Sequence, residues 1–272
     1  MHYTVAVITK EDSGSEIAEL LEPFDEGLEM EPYVYKTKQQ IIEEVAKRIK
    51  ETKEDIELYS KGEYDTEKYR VYWLNDNGEL RPYYKELLEL NEEDEEALYK
   101  YYRDDDDEDY DKEGNELSTY NPKSKWDWYS IGGRWDGYFN LKNGESANSA
   151  KISDIIWEGT EEAKKNAARF WDVVVDGAEQ TEEEKKEHAF FTLYGKQYYV
   201  DRFKTKEEYI ERATFTCPYA VLTNDGDWVA PGEMHWFSSD ETDEAQLEYE
   251  KWFKKFIDEH QDYYITLVDC HI

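Results

Sequence analysis

Residues 2–9, HYTVAVIT, and residues 263–272, YYITLVDCHI, lie far apart in a chain of 272 residues, and their reading decides the fold. Each is a short apolar run with β-branched residues, Val5 and Val7 among them, and each has the length of a buried strand. Between them, segments that read as strands and helices are mixed without strict βαβ alternation. That pattern predicts an α+β class: a central, mostly antiparallel sheet that includes both of these strands, packed with several amphipathic helices.

The helix signals are local. Ser13 and Glu16 have capping-box spacing, and Pro23 ends the short helix that follows. Thr37 with Gln40 caps the strongest helix, whose apolar stripe is Ile41, Ile42, Val45, Ile49 and Ile56. Tyr83 to Tyr102 reads as one further helix with Leu87, Leu88, Leu98, Tyr101 and Tyr102 on its face. "TEEAKKNAARFW" reads as helix, "DVVVDG" as a short strand, and Thr205 with Glu208 as another cap. "AFFTLYGKQYYVDRF" reads as a hairpin turning at Gly195-Lys196, and "CPYAVLTNDGDWVAPG" as a second hairpin turning at Asn224-Asp225-Gly226. Asp240 to His260 is a long amphipathic helix with Leu247, Tyr249, Trp252, Phe253, Phe256 and Ile257 inward. The expected organisation is a single domain, 1–272, with a helical acidic insertion at about 37–120.

Acidic residues number 67 against 33 basic, a formal charge of −34, while aromatics reach 16%. So many aromatics predict a folded chain and not a disordered one. The charge argues against direct contact with nucleic acid backbones or anionic membranes, which would repel it. It suits solubility, docking on a basic protein, or cation loading. No apolar run has the length of a membrane span, and no basic-then-apolar leader opens the sequence. Cys217 and Cys270 lack metal-ligand spacing, so a cytoplasmic protein with reduced thiols, no metal and no cofactor is expected. A homo-oligomer is compatible with the composition.

"SKWDWYSIGGRWDGYF", Ser124 to Phe139, holds six aromatics and three glycines. Trp126, Trp128, Gly132, Gly133 and Trp135 read as a structural hub, with three tryptophans too apolar for a wet loop. Gly132-Gly133 allows positive φ or close approach, and Arg134 would project from the turn. Its guanidinium suits a carboxylate or phosphate, or else pairs with Asp127 or Asp136 and braces the core. The "HYTVAVI" start, the central "NPKSKWDWYSIGGRW" and the "VDCHI" end together resemble a broad family of proteins carried by bacteriophages and prophages. The resemblance implies a phage-encoded protein in the host cytoplasm, in a setting where small acidic proteins block host defence.

Two functions stay open. The first, and preferred, is a non-enzymatic inhibitor that occupies the basic surface of a host defence nuclease, a DNA mimic. Its candidate contacts are Asp104, Asp105, Asp106, Asp107, Glu108, Asp109 and Asp111. The second is an enzyme or sensor for a phosphorylated, nucleotide-like small molecule. If the first and last strands pair, His2 and His271 meet at one sheet edge and, with Asp269 and Arg134, form an acid–base site. Asp109, Asp111, Glu113 and Gly114 match the first half of a calcium loop, but Tyr120 stands where the bidentate Glu is due. No nucleophile elbow is present, Cys217 precedes Pro218 in an apolar strand, and Asp227, Glu233 and His235 lack a zinc-site spacing.

Overall fold

A computed structural model describes residues 1–66, 69–103, 109–235 and 237–272. In chain order its elements are β1 (His2–Thr9), α1 (Gly14–Leu21), β2 (Tyr33–Lys36), α2 (Lys38–Lys61), α3 (Pro82–Glu89), α4 (Glu95–Tyr102) and β3 (Glu116–Ser118). There follow β4 (Trp128–Ile131), β5 (Phe139–Asn140), β6 (Ser146–Ala147), β7 (Ser149–Lys151), α5 (Glu161–Val174), α6 (Glu182–Lys186), α7 (Lys196–Phe203) and α8 (Lys206–Thr214). The chain closes with β8 (Ala220–Leu222), β9 (Trp228–Val229), α9 (Asp243–Glu259) and β10 (Tyr264–His271). The fold is α+β. It divides into two compact units, one of Met1–Leu28 with Asn121–Ile272 and one of Glu29–Tyr120.

The first unit is built on a six-stranded sheet in the order β4-β10-β1-β8-β9, with β7 also on β10. The first and last strands of the chain are neighbours at its centre, antiparallel from His2↔His271 to Thr9↔Tyr264. The β1–β8 pair is parallel, and the other pairings are antiparallel. Both faces of the central strands are buried, which is why their sequences are nearly continuous apolar runs. On one face Ala6, Ile8, Ile265 and Leu267 meet Tyr249, Phe253 and Ile257 of α9. On the other, Val5, Val7, Val268 and Cys270 meet Ile17 and Leu21 of α1, with Phe24 and Trp126. Burying a Phe or Ile fully is worth roughly 1.5–3 kcal/mol, so these two layers dominate the stability of the unit.

Three elements differ from the sequence reading. Residues 196–203 form helix α7, not a hairpin arm, because Tyr199 is buried among Phe170, Trp171 and Tyr209 of the helices beside it. Gly195 stands at its N-cap with an extended backbone, φ −77°, and makes no tight turn. "DVVVDG" is not a strand: α5 runs on through Val174, since the buried Ala167 and Trp171 continue at four-residue spacing to the buried Val175 at its C-cap. Packing overrides the β-propensity of valine and tyrosine at both places. The Tyr83–Tyr102 stretch is two helices, because the Asp94 side chain accepts the Ala97 N–H at 3.1 Å and caps a new start.

The second unit carries β2 and β3 as an antiparallel pair and packs α2 on α3 and α4. The Thr37–Gln40 capping box is complete, and Gly62 ends α2 at φ 72°. Ile41, Ile42, Val45 and Ile49 are buried against Leu87, Leu98 and Tyr99. Among the described residues, no helix is long and apolar enough to cross a membrane.

Candidate functional site

Strand pairing assembles the site. Directly opposed residues of antiparallel strands share a face, and side chains alternate along each strand. The registers His2↔His271 and His271↔Trp128 therefore put two imidazoles and an indole in one row. The next row on that face is Thr4, Asp269 and Ser130. Cys270 points to the opposite face, where burial pushes its thiol far above the ordinary range. The site thus occupies the polar end of the sheet face that α9 covers further along. It spans the neighbouring strands β1 and β10 and reaches β4, the edge strand of the sheet.

The two histidines stand 4.8 Å apart between ring centroids, edge to face. Trp128 stacks on His271 at 5.5 Å and 17°, and meets His2 edge-on at 5.1 Å. Each imidazole is oriented by its own carboxylate. His2 Nδ1 is 2.8 Å from Asp269 Oδ1, and His271 Nδ1 is 2.8 Å from Asp127 Oδ1. A carboxylate at Nδ1 favours the Nδ1–H tautomer, so Nε2 is the free acid–base atom of both rings. The environments differ: the Asp269 side chain is 1% exposed, while that of Asp127 is 41% exposed.

The Gly132-Gly133 turn closes onto this row. Gly132 has φ 70° and Gly133 φ 52°, a region that L side chains rarely adopt. A Cβ on Gly133 would lie 2.4 Å from Asp269 Cβ and Oδ2 and 2.6 Å from Ser130 Oγ. The close approach lets the Arg134 backbone N–H donate to Asp269 Oδ2 at 2.9 Å. Asp269 therefore bridges the turn and His2, one oxygen to each. Asn148 holds the far side: Oδ1 accepts the Gly137 N–H at 2.7 Å, and Nδ2 donates to Asp136 at 2.7 Å. The Arg134 side chain is exposed and, among the described residues, makes no ion pair, so neither Asp127 nor Asp136 neutralises it.

The remaining expected residues are dispersed. Trp126 is 8% exposed, with its indole N–H donating to the Leu21 carbonyl at 3.2 Å, and Trp135 packs against the α9-side core. Trp128 is not buried: at 44% exposure it belongs to the site and not to the hub. Asp104, Asp105, Asp106, Asp107 and Glu108 lie outside the described residues. Asp109 is exposed. Asp111 is held by its own loop, accepting from the Asn115 backbone at 2.8 Å and side chain at 2.9 Å, which lowers its pKa. Among the described residues, no group of three or more His, Cys, Asp or Glu is placed to hold a metal ion.

Sequence reasoning missed Asp127 as a histidine partner, Trp128 as a ring stacked on His271, and Asn148. Only strand register brings Asp127 to His271, and the register between β4 and β10 has no local signal. A cavity of about 260 Å³ opens beside His271 and Asp127. No family model, curated protein or solved structure matches the chain.

Proposed function

We propose that the protein binds a phosphorylated, nucleotide-like small molecule at the paired histidines and cleaves its phosphate ester by acid–base chemistry. The observation that carries this reading is the pair itself: two imidazoles 4.8 Å apart, each with Nδ1 held by a separate carboxylate. With both Nδ1 atoms engaged, one neutral Nε2 takes the proton of an attacking water as its oxygen bonds to phosphorus. The other ring, protonated, gives its proton to the leaving oxygen as the P–O bond breaks. The two protons moved balance, and the imidazoles exchange charge states. The exposed Arg134, without an ion pair among the described residues, supplies the cation that the phosphate oxygens need. The acidic excess is not concentrated in one unit of the chain. Residues 29–120 hold 29 acidic and 14 basic residues and the remainder 38 and 19, the same two-to-one ratio in both units.

The test is steady-state hydrolysis of a panel of phosphomonoesters and phosphodiesters. His2→Asn and His271→Asn should each lower kcat by about 10²–10⁴-fold, the usual worth of a positioned acid or base. A folded double variant as active as the parent, or a parent that neither binds nor turns over any of the panel, overturns the reading.

The net charge of −34 favours a second reading, the acidic inhibitor of a host defence nuclease. Replacing Asp104, Asp105, Asp106 and Asp107 by Asn should then weaken inhibition of the nuclease and raise its residual activity at moderate salt, with Arg134→Ala neutral. The opposite pattern rejects it.

A further inference from the structure

We infer that the phosphorylated ligand is a nucleotide whose base has two adjacent N–H donors, guanine in the first place; this rests on the reading of the histidine pair as a phosphate site. The cavity beside His271 carries the inference. Its wall includes Asp127, Glu26 and Phe237, and its volume of about 260 Å³ suits one ring system, not a large ligand. Three features of that wall are specific.

Phe237 is 89% exposed, an unusual state for a phenyl ring at a cavity mouth. The described residues that flank it are fastened to one another. Met234 bridges Ser239, and the His235 N–H donates to the Ser238 carbonyl at 2.8 Å. A ring presented in this way has an open face for a planar partner, and base–aromatic stacking is the contact that such a face makes.

Glu26 is the second feature. Its backbone N–H is committed to the Trp126 carbonyl at 2.8 Å, which fixes the residue at the wall. Its carboxylate forms no ion pair among the described residues. A carboxylate accepts only, so the ligand edge that meets it must donate. Guanine offers the ring N1–H and the exocyclic amino group side by side; adenine offers an unprotonated N1 there, which a carboxylate repels.

Asp127 is the third. It is shared between the cavity and the His271 imidazole, so the catalytic row and the cavity are joined at one carboxylate. A ligand seated against Phe237 and Glu26 therefore lies beside the ring proposed to move a proton.

The experiment is titration calorimetry of the full chain with GMP, IMP, AMP, ribose 5-phosphate and inorganic phosphate. Hypoxanthine keeps N1–H and lacks the amino group, so the expected order is GMP, then IMP, then AMP, with about tenfold or more between the first and last. Glu26→Gln should flatten that order, and Phe237→Ala should weaken all three nucleotides while leaving ribose 5-phosphate unchanged. If ribose 5-phosphate binds as well as GMP and both depend on Arg134, the base inference is overturned and the phosphate site stands. An order with AMP first also overturns it. If no ligand of the series binds, the phosphate reading fails and the base inference with it.

Discussion

Replacing Gly133 by Ala isolates the closest contact in the site. Two penalties add. The backbone at φ 52° is one that alanine adopts at a cost of roughly 1–2 kcal/mol. The new methyl would also sit 2.4 Å from Asp269 Cβ and Oδ2, inside any allowed separation. Asp269 is 1% exposed and has no room to retreat without releasing either His2 or the Arg134 N–H. Losing one hydrogen bond to a charged group costs about 1.5–3 kcal/mol. The sum is about 3–5 kcal/mol, which lowers Tm by about 10 °C at roughly 2–4 °C per kcal/mol for a unit of this size. Gly144→Ala is the matched control: φ is 89°, but a Cβ there meets nothing within 4 Å. Only the backbone penalty remains, a fall of about 4 °C. Circular dichroism melts of the two variants read the difference directly. Equal shifts would refute the reasoning, because they would mean that Asp269 yields to the methyl without losing a partner.

The tryptophans of the central block should separate in the same assay: Trp126→Ala, buried with its N–H bonded, is expected to cost about 3–5 kcal/mol, and Trp128→Ala, 44% exposed, about 1 kcal/mol. Trp128→Ala should still lower any turnover at the histidine pair. Glu184 is held down to about 2 by the Arg169 guanidinium, with bonds of 2.9 and 2.8 Å, so its contribution is fully present above its unfolded value near 4.5 and is lost as pH falls toward 2. Hydrogen exchange should show α6 loosening from α5 over that window, and Glu184→Gln should abolish the dependence. Burial holds the Cys217 and Cys270 thiols far above the ordinary range, so neither should react with a thiol reagent at pH 8 until the protein unfolds.

Legibility in the sequence followed the range of the forces involved. The Thr37 capping box, the Asn224-Asp225-Gly226 turn and the α9 stripe are set by neighbours within a few residues, and each appears where its pattern predicts. HYTVAVIT and YYITLVDCHI were readable as strands because burial on both faces leaves a continuous apolar run. That they pair was the simplest way to close one sheet. The placement of Tyr199 was not readable, since its helix exists to fill an aromatic cluster made by α5 and α8. At the site, His2, Asp269 and His271 were accessible from the two ends of the chain. Asp127 and Trp128 were not, because their roles depend on which residue of β4 faces His271.

The pairing of β1 with β10 also bears on how the molecule is made and checked. Strands that are distant in sequence and adjacent in space give a high contact order, and the loop entropy must be met before their contacts reward it. During synthesis β1 has no partner at its β10 side until β10 itself has left the ribosome. The row of His2, His271 and Trp128 then forms in the same event that seals the core between α1 and α9. A chain missing either strand would lose both together. Copies lacking either strand would therefore be unstable, and quality control would meet them as unfolded chains without the histidine row.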